Sequence, residues 1–241
     1  MKAIILAAGM GKRLQAMSGG LPKSMIKLGK NSILHNQINA CLDYGIEKFV
    51  FVVGFKKDVL KEHILQKLDK KNVTFVENDI YDKTNTLYSL WLTRDLFDDD
   101  FIYFNADVFF DPKILNHFSK TKDNTQLLIE EKLCREEEVK VIVDSNRRIL
   151  EIGKLLDPKD CSGEFVGIGK FAKKDLTLFK ESLEKGILEK QENNYFEYAV
   201  NEMATKTFLE SVSIENSPCI EIDFPEDLEN ARRVILPKIK F

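Results

Sequence analysis

Apolar and polar positions in the first half of the chain form two kinds of segment. Short, continuous apolar runs are typical of buried strands, and they are separated by stretches whose apolar residues recur at helical spacing. Strands that alternate with helices predict a parallel sheet covered on both faces, with ligands at the carboxyl ends of the strands. The predicted strands are 3–6, 49–53, 73–76 and 101–104, and the predicted helices are 33–44, 57–68 and 86–96.

The second half of the chain has a different pattern, in which short strands follow one another. A polar run at 144–146 between two apolar runs predicts a hairpin. We therefore predict a single α/β domain over residues 1–241, with a central, mostly parallel sheet flanked by helices and an antiparallel extension. The predicted elements are strands at 126–129, 139–143, 149–152, 165–171 and 219–222, and helices at 174–185, at 196–206 and from Pro225 onward.

Composition and charge exclude several classes of protein. The formal net charge of −3 gives no general attraction to nucleic acid or to an anionic membrane. No apolar stretch approaches the roughly 20 residues that span a bilayer. The start of the chain runs directly into a predicted strand, without the cleavage site of a signal peptide. We expect a cytoplasmic protein with reduced cysteines, no nucleic-acid partner and no membrane insertion.

The loop after the first predicted strand is the most informative segment. Its small side chains let backbone N–H groups approach a polyanion, and its glycines can adopt positive φ. Arg13 and Lys23 add fixed positive charge. An ordinary turn is the alternative, and two glycines alone would favour it. The whole string, followed by Pro22-Lys23, instead predicts a nucleoside triphosphate site. The string comprises Leu6, Ala7, Ala8, Gly9, Met10, Gly11, Lys12 and Arg13.

Two carboxylates follow predicted strands elsewhere in the chain. Asp107 comes after the run 101–104, and Asp223 comes after the run 219–222. Carboxylate oxygens at strand ends of one sheet suit a hard divalent cation, here Mg²⁺, beside phosphate. The alternative for each is a turn or helix-cap aspartate.

The chain resembles the sugar-nucleotidyltransferase superfamily, and more closely its phosphocholine cytidylyltransferase type. One departure is Lys12, where the family more often has Ser or Thr. The resemblance implies a GT-A-like, Rossmann-like fold with a nucleotide-binding half (1–111) and an acceptor-side half (112–241). The matching stretches are 6–14, 22–23, 78–92, 105–107, 151–154, 163–171 and 220–227, in the expected order.

This resemblance also implies a reaction, in which a nucleotidyl group passes from an NTP to a phosphorylated acceptor and pyrophosphate leaves. By similarity, Arg13 steadies the β- and γ-phosphates, Lys23 lies near the α-phosphate, and Lys154 meets the acceptor phosphate. Mg²⁺ on Asp107 and Asp223 offsets charge between the anionic reactants. The implied nucleotide-binding residues are Leu6, Ala7, Ala8, Gly9, Met10, Gly11, Lys12, Asn85, Ser89, Asn105 and Ala106.

The segment around Asn85 is the expected base-side element. Asn85 and Ser89 have short polar side chains suited to a pyrimidine edge or a ribose. Capping of the following helix is an equal and compatible explanation for Asn85.

Carboxylates and aromatic faces on the acceptor side suit an amine or quaternary ammonium group. The implied acceptor-binding residues are Tyr88, Glu164, Gly167 and Glu197.

The resemblance, together with the glycine loop and the two carboxylates, implies an Mg²⁺-dependent cytidylyltransferase that uses CTP. The candidate acceptors are phosphocholine, 2-aminoethylphosphonate and phosphoglutamine, and the product would serve capsule or other surface polysaccharide or lipid modification. One alternative is a sugar-1-phosphate uridylyl-, thymidylyl- or guanylyltransferase. Another is a catalytically silent nucleotide-binding module. The partners expected are small molecules, and a homodimer is left open.

Overall fold

The structure, a computed structural model, describes residues 1–119 and 123–239. Its strands are β1 (Lys2–Ala7), β2 (Lys27–Leu28), β3 (Asn31–Ser32), β4 (Phe49–Val53), β5 (Val73–Glu77), β6 (Phe101–Asn105), β7 (Val108–Phe110), β8 (Gln126–Glu130), β9 (Lys140–Val143), β10 (Ile149–Gly153), β11 (Gly163–Phe171), β12 (Glu210–Ser213) and β13 (Cys219–Glu221). Its α-helices are α1 (Gln15–Ser18), α2 (Ile33–Asp43), α3 (Lys57–Leu65), α4 (Thr86–Trp91), α5 (Leu176–Leu188), α6 (Glu197–Ala204) and α7 (Pro225–Asn230).

The chain folds into two compact units. Unit 1 comprises Met1–Asp82, Phe104–Asn116 and the chain from Asn216 onward, and unit 2 comprises Lys83–Tyr103 and His117–Glu215. The chain therefore enters and leaves unit 1 more than once. The division into halves at residue 111 stays a prediction.

Unit 1 contains the parallel sheet that the first half of the sequence predicts. β1 pairs in parallel with β4, and β4 pairs in parallel with β5. Every residue of β4 is buried, as its continuous β-branched and aromatic run requires. Ser32 is the N-cap of helix α2, and its Oγ accepts the N–H of His35. The helix ends before Gly45, whose φ is +93°.

A second, smaller sheet in unit 1 was not predicted. β7 pairs antiparallel with β13, so that Glu221 lies opposite Val108 and Ile220 opposite Phe109. The segment 108–110 has only three residues, and its partner lies more than 100 positions further along the chain. No local sequence pattern therefore predicts that β7 pairs with β13.

Unit 2 carries most of the antiparallel strands. β9 and β10 form the predicted hairpin, and β11 pairs antiparallel with both β8 and β9. β12, which sequence analysis missed, adds to β8 in parallel. Asn201 on α6 brackets Ile152 on β10, accepting its N–H at 2.9 Å and donating to its carbonyl at 2.8 Å. The predicted α/β class, with a mostly parallel sheet, flanking helices and antiparallel strands, is confirmed.

Several helices are shorter than their apolar periodicity predicts. The helix expected at 57–68 ends at Leu65, and the one expected at 86–96 ends at Trp91 and is followed by a 3₁₀ turn at Arg94–Leu96. Helix ends commonly tighten in this way, and the apolar pattern continues through them. In the described part of the chain, no helix combines the length and apolar character needed to cross a membrane.

Candidate active site

The glycine loop of unit 1 closes against Lys23. Gly11 has a φ of +57°, and a Cβ built there would lie 2.7 Å from the Cβ of Lys23. Gly11 therefore meets both reasons for a glycine, a left-handed backbone and a close neighbour. A Cβ at Gly9 would meet no atom within 4 Å, so nothing in the protein crowds that position. Of the two glycines in the loop, Gly11 is the one with a positive φ.

Lys23 lies between the two predicted metal carboxylates. Its Nζ is 2.7 Å from Asp107 Oδ2 and 2.6 Å from Asp223 Oδ1. Burial alone would lower the pKa of Lys23, but the two carboxylates outweigh it and raise the pKa above its usual value. The ammonium therefore stays charged, and the structure brings together three residues separated by up to 200 positions.

The small sheet of β7 and β13 explains how the acids meet. The N–H of Ile222 donates to the carbonyl of Asp107 at 3.1 Å, which extends the pairing of these strands by one residue. On the far side, Asp227 accepts the N–H groups of Asp223 (2.9 Å) and Phe224 (2.7 Å). These bonds hold the backbone at Asp223 where its carboxylate reaches Lys23.

Glu221 adds a third carboxylate that sequence reasoning missed. One oxygen from each of Asp107, Glu221 and Asp223 lies within 4.8 Å of the others. Asn105 Nδ2 donates to Glu221 Oε1 at 3.3 Å. The signal was present in the sequence, because alternation along a strand puts Glu221 and Asp223 on one face and Ile220 and Ile222 on the other.

This carboxylate group fits a divalent cation. Asp107 Oδ1 is buried and has no hydrogen-bond partner in the described part of the chain. A buried carboxylate oxygen without a partner is costly, and a bound cation would satisfy it. Oxygen ligands of this kind suit Mg²⁺. Asp107, Glu221 and Asp223 are the residues that would hold it.

Arg13 and the backbone of the loop complete this part of unit 1. The Arg13 guanidinium lies 4.4 Å from the centre of the Phe224 ring, next to Asp223 in the chain. Ala106 N–H donates to the Leu6 carbonyl at 3.2 Å, joining the two predicted nucleotide-binding segments. Along the loop Leu6, Ala7 and Ala8 are buried, Met10 and Gly11 are half-buried, and Gly9, Lys12 and Arg13 are exposed.

Gln37 of α2 also supports this site and was missed from sequence. The side chain is buried, and its Nε2 donates to the carbonyls of Asn105 and Val108, both at 2.8 Å. These carbonyls flank Asp107 on either side. A glutamine among the apolar positions of a predicted helix is the signal that could have identified it.

In unit 2, Asn85 is the N-cap of α4. Its Oδ1 accepts the N–H of Thr86 at 2.9 Å, so the capping alternative is observed, while contact with a base stays a prediction. Ser89 is buried within the helix. Tyr88 is half-buried, and its ring lies 5.5 Å from that of Trp91.

Two of the predicted acceptor residues lie on β11 of unit 2. Glu164 Oε2 is 2.5 Å from Lys132 Nζ, and the same ammonium contacts Glu130 and Glu138 at 3.0 and 3.1 Å. Burial raises the pKa of Glu164 despite the opposing effect of Lys132. Gly167 has a φ of +76° in the irregular stretch of β11, a conformation that favours glycine.

Lys154 and Glu197 form another group of unit 2. Lys154 Nζ lies 5.1 Å from the centre of the Tyr195 ring, so this lysine has an aromatic neighbour. Glu197 is buried, and its Oε2 has no hydrogen-bond partner among the described residues. Burial raises the pKa of Glu197 to about 7, with Lys154 acting in the opposite direction.

Comparison with known proteins decides the family. Residues 2–148, more than half of the chain, match the nucleotidyl transferase family model. The chain belongs to this family. The predicted nucleotidyltransferase resemblance is thereby confirmed, and cytidylyltransferases are among its relatives.

Relatives of this nucleotidyltransferase match it over nearly its whole length. The CTP:phosphoglutamine cytidylyltransferase of Campylobacter jejuni is 29% identical over 254 residues, covering 95% of this chain and 98% of the relative. The solved CTP:phosphocholine cytidylyltransferase of Streptococcus pneumoniae has a TM-score of 0.81 at 20% identity, covering 97% of this chain and 98% of that one. The inositol-1-phosphate CTP transferase of T. maritima has a TM-score of 0.80 at 24% identity, covering 100% and 98%. The two structural matches establish the fold.

Proposed function

We propose that this nucleotidyltransferase transfers CMP from CTP to a small phosphorylated acceptor, with Mg²⁺ as its cofactor. The observation that carries the proposal is Lys23 held between Asp107 and Asp223 beside the glycine loop. A fixed cation next to oxygen ligands for a divalent metal is the arrangement that phosphoryl chemistry requires. The full-length likeness to a relative named for CTP supports the choice of nucleotide.

The proposed reaction needs no nucleophile from the protein. An oxygen of the acceptor phosphate attacks the α-phosphorus of CTP, the bond to the bridging oxygen breaks, and pyrophosphate leaves. Bound Mg²⁺ supplies charge neutralisation at the phosphates. Loop N–H groups and Arg13 bind the triphosphate, and Lys23 places positive charge at the reacting phosphate.

Lys23 has two partners in this proposal. Its ammonium pairs with Asp107 and Asp223, at 2.7 and 2.6 Å. A divalent cation held by these carboxylates would offset their negative charge, and Lys23 would then be able to pair with phosphate. Gly11 leaves room for the Lys23 side chain beside the loop, because a Cβ at this position would collide with that side chain.

For the acceptor, the guide is the full-length likeness to one relative. In unit 2, the single Lys132 ammonium serves the carboxylates of Glu130, Glu138 and Glu164, and burial raises the pKa of Glu197 to about 7. We propose phosphoglutamine or a similar phosphorylated amide, in line with a relative named for phosphoglutamine. A cytoplasmic location and use of the product for capsule or surface glycans are part of the proposal.

The deciding experiment is pyrophosphate release from CTP, UTP, dTTP and GTP against a panel of acceptors, with Mg²⁺ or with EDTA. The acceptors are phosphoglutamine, phosphocholine, 2-aminoethylphosphonate and several sugar-1-phosphates. We expect turnover with CTP, Mg²⁺ and the amide acceptor, and a large loss in Asp107→Asn. Turnover only with UTP or dTTP and a sugar phosphate would keep the chemistry and overturn the substrates. CTP binding without turnover on any acceptor would favour a silent nucleotide-binding module.

A further inference from the structure

Two cysteines of unit 2 lie beside each other at one end of the β8–β11 pair. The antiparallel register there places Glu164 opposite Glu130, and the two chains are so close that a Cβ at Gly163 would collide with the Glu130 carbonyl. The segment that leaves β8 and the segment that enters β11 therefore start out side by side. Cys134 lies on the first segment, four residues after Glu130, and Cys161 lies on the second, three residues before Glu164.

The two thiols interact directly. Cys161 lies within hydrogen-bonding range of the Cys134 thiol, and burial together with this neighbour raises the pKa of Cys134 to about 12. Each sulfur also contacts a carbonyl oxygen of its own segment. Cys134 Sγ is 3.8 Å from the oxygen of Lys132, and Cys161 Sγ is 3.1 Å from the oxygen of Pro158. A direct thiol–thiol contact between neighbouring segments is the arrangement from which a disulfide forms.

This cysteine pair is accessible to a small reagent. Cys134 and Cys161 are both half-buried, and each has an exposed neighbour in the chain, Leu133 and Asp160 respectively. Cys41, by contrast, is fully buried, and burial raises the pKa of its thiol. A thiol buried like Cys41 is inert, whereas a partly exposed pair can exchange with a small disulfide.

We propose that Cys134 and Cys161 are a redox modification site, which forms a reversible intramolecular disulfide by exchange with a low-molecular-weight disulfide. The Cys161 thiolate attacks one sulfur of the reagent, forms a mixed disulfide and expels one reagent thiolate. The Cys134 thiol then loses its proton, and its sulfur attacks the Cys161 sulfur and expels the second thiolate. The protein gives up two electrons and two protons, and the reagent gains them as two free thiols.

The order of attack follows from the charges around Cys134. The carboxylates of Glu138 and Glu164 add to burial and to Cys161 in disfavouring an anion at Cys134. Cys134 therefore stays protonated until the mixed disulfide has formed, and Cys161 makes the first attack. Disulfides in reducing compartments are usually transient and redox-sensing, which fits a pair that is reduced at rest.

The new bond would join two segments that border the Lys132 ion pairs. Lys132 lies two residues before Cys134, and its ammonium pairs with Glu164, three residues after Cys161. The bond would also close a loop that contains β9 and β10. Oxidation is therefore expected to add a covalent link beside a contact that now depends on ion pairs.

The test is thiol chemistry on the full chain in mixtures of oxidised and reduced glutathione. We expect intact mass spectrometry to show the loss of two hydrogen atoms, and peptide mapping to find Cys134 bonded to Cys161. Dithiothreitol should reverse the change. The matched control Cys219→Ser removes a half-buried thiol of unit 1, and it should form the bond as the wild type does.

Two single variants test the order of attack. In Cys134→Ser the remaining Cys161 should hold one glutathione as a stable mixed disulfide, because the second step is blocked. In Cys161→Ser the remaining Cys134 should take up glutathione roughly tenfold more slowly or less, because its thiol stays protonated. Equal uptake by the two variants would overturn the assigned order.

Three results would overturn the proposed site itself. The first is that both thiols stay free in oxidised glutathione. The second is a wild type that carries glutathione adducts without the intramolecular bond. The third is a bond that forms only after urea is added, which would show that the folded chain does not bring the thiols together. The measurements contain neither CTP nor Mg²⁺, so their failure is distinct from failure of the proposed function.

Discussion

At the scale of single residues, Lys23 provides the positive charge that balances two carboxylates of unit 1. One ammonium neutralises two carboxylates, and its removal would leave Asp107 and Asp223 facing each other without a counter-charge. Lys23 thus has a structural effect and a proposed catalytic one, and a variant must separate them.

Lys23→Ala is expected to lower kcat by about 10²–10³-fold or more, because it removes fixed charge from the reacting phosphates. Pyrophosphate release measures this, and far-UV circular dichroism checks that the fold persists. Lys30→Ala, an exposed lysine of the same unit, is the control and should keep normal turnover. Near-normal turnover in Lys23→Ala would remove Lys23 from the proposed chemistry.

Glu197 shows how burial can set a pH dependence. Its pKa rises from 4.5 to about 7 because burial disfavours the charged form. The folded protein therefore holds this proton more tightly than the unfolded chain does. The stabilisation is fully present below about pH 4.5, and it is lost as the pH rises to about 7.

Glu197→Gln keeps the neutral shape and removes the titration. As the pH rises from 4.5 to 8, the unfolding free energy of the wild type should fall by on the order of 3 kcal/mol relative to that of Glu197→Gln, which does not titrate. Urea unfolding at the two pH values measures this. Glu181→Gln, at an exposed position on α5, should show no such change. Equal pH profiles for Glu197→Gln and wild type would contradict the raised pKa.

At the scale of elements, helix α2 connects several parts of unit 1. Its N-cap is Ser32, and its Gln37 fixes the backbone beside Asp107. The Ser32 hydroxyl also lies 2.8 Å from His63 Nε2, which ties α2 to α3. The stacked His35 and His63 rings lie at this helix contact.

Ser32→Ala should destabilise the protein by about 1–2 kcal/mol, because it removes the N-cap bond and the His63 contact from a buried position. Urea unfolding measures the loss. The control is Ser18→Ala, which removes a half-buried hydroxyl at the end of the short helix α1 and should change stability by about 0.5 kcal/mol or less. A similar small effect in Ser32→Ala would show that the cap is dispensable.

At the scale of the whole molecule, nucleotide binding should appear as stability. A ligand that binds only the folded protein adds about 2.7 kcal/mol at 100 times its dissociation constant, and each kcal/mol is worth about 2–4 °C for a chain of this size. We therefore expect CTP with Mg²⁺ to raise the apparent melting temperature by about 5–10 °C in differential scanning fluorimetry. Asp107→Asn should lose the part of the shift that depends on Mg²⁺. An identical shift with EDTA would argue against the proposed metal site.

The sequence by itself determined the local elements and the candidate chemistry. The parallel strands of unit 1, helix α2 and the glycine loop follow from apolar periodicity and from small residues at fixed spacing, which are local properties. Asp107 and Asp223 could be named because each follows a strand. The two glycines of the loop allow a positive φ for the same local reason, and Gly11 adopts it.

Only the tertiary structure decided how these residues meet. The pairing of β7 with β13 joins segments more than 100 residues apart, and it brings Glu221 to the two aspartates. Distant neighbours likewise determine the placement of Lys23 between these acids, the hydrogen bonds of Gln37 to the backbone beside Asp107, and the burial of Glu197. Strand register and the protonation of buried groups are set by what packs against them, and periodicity along the chain does not contain that information.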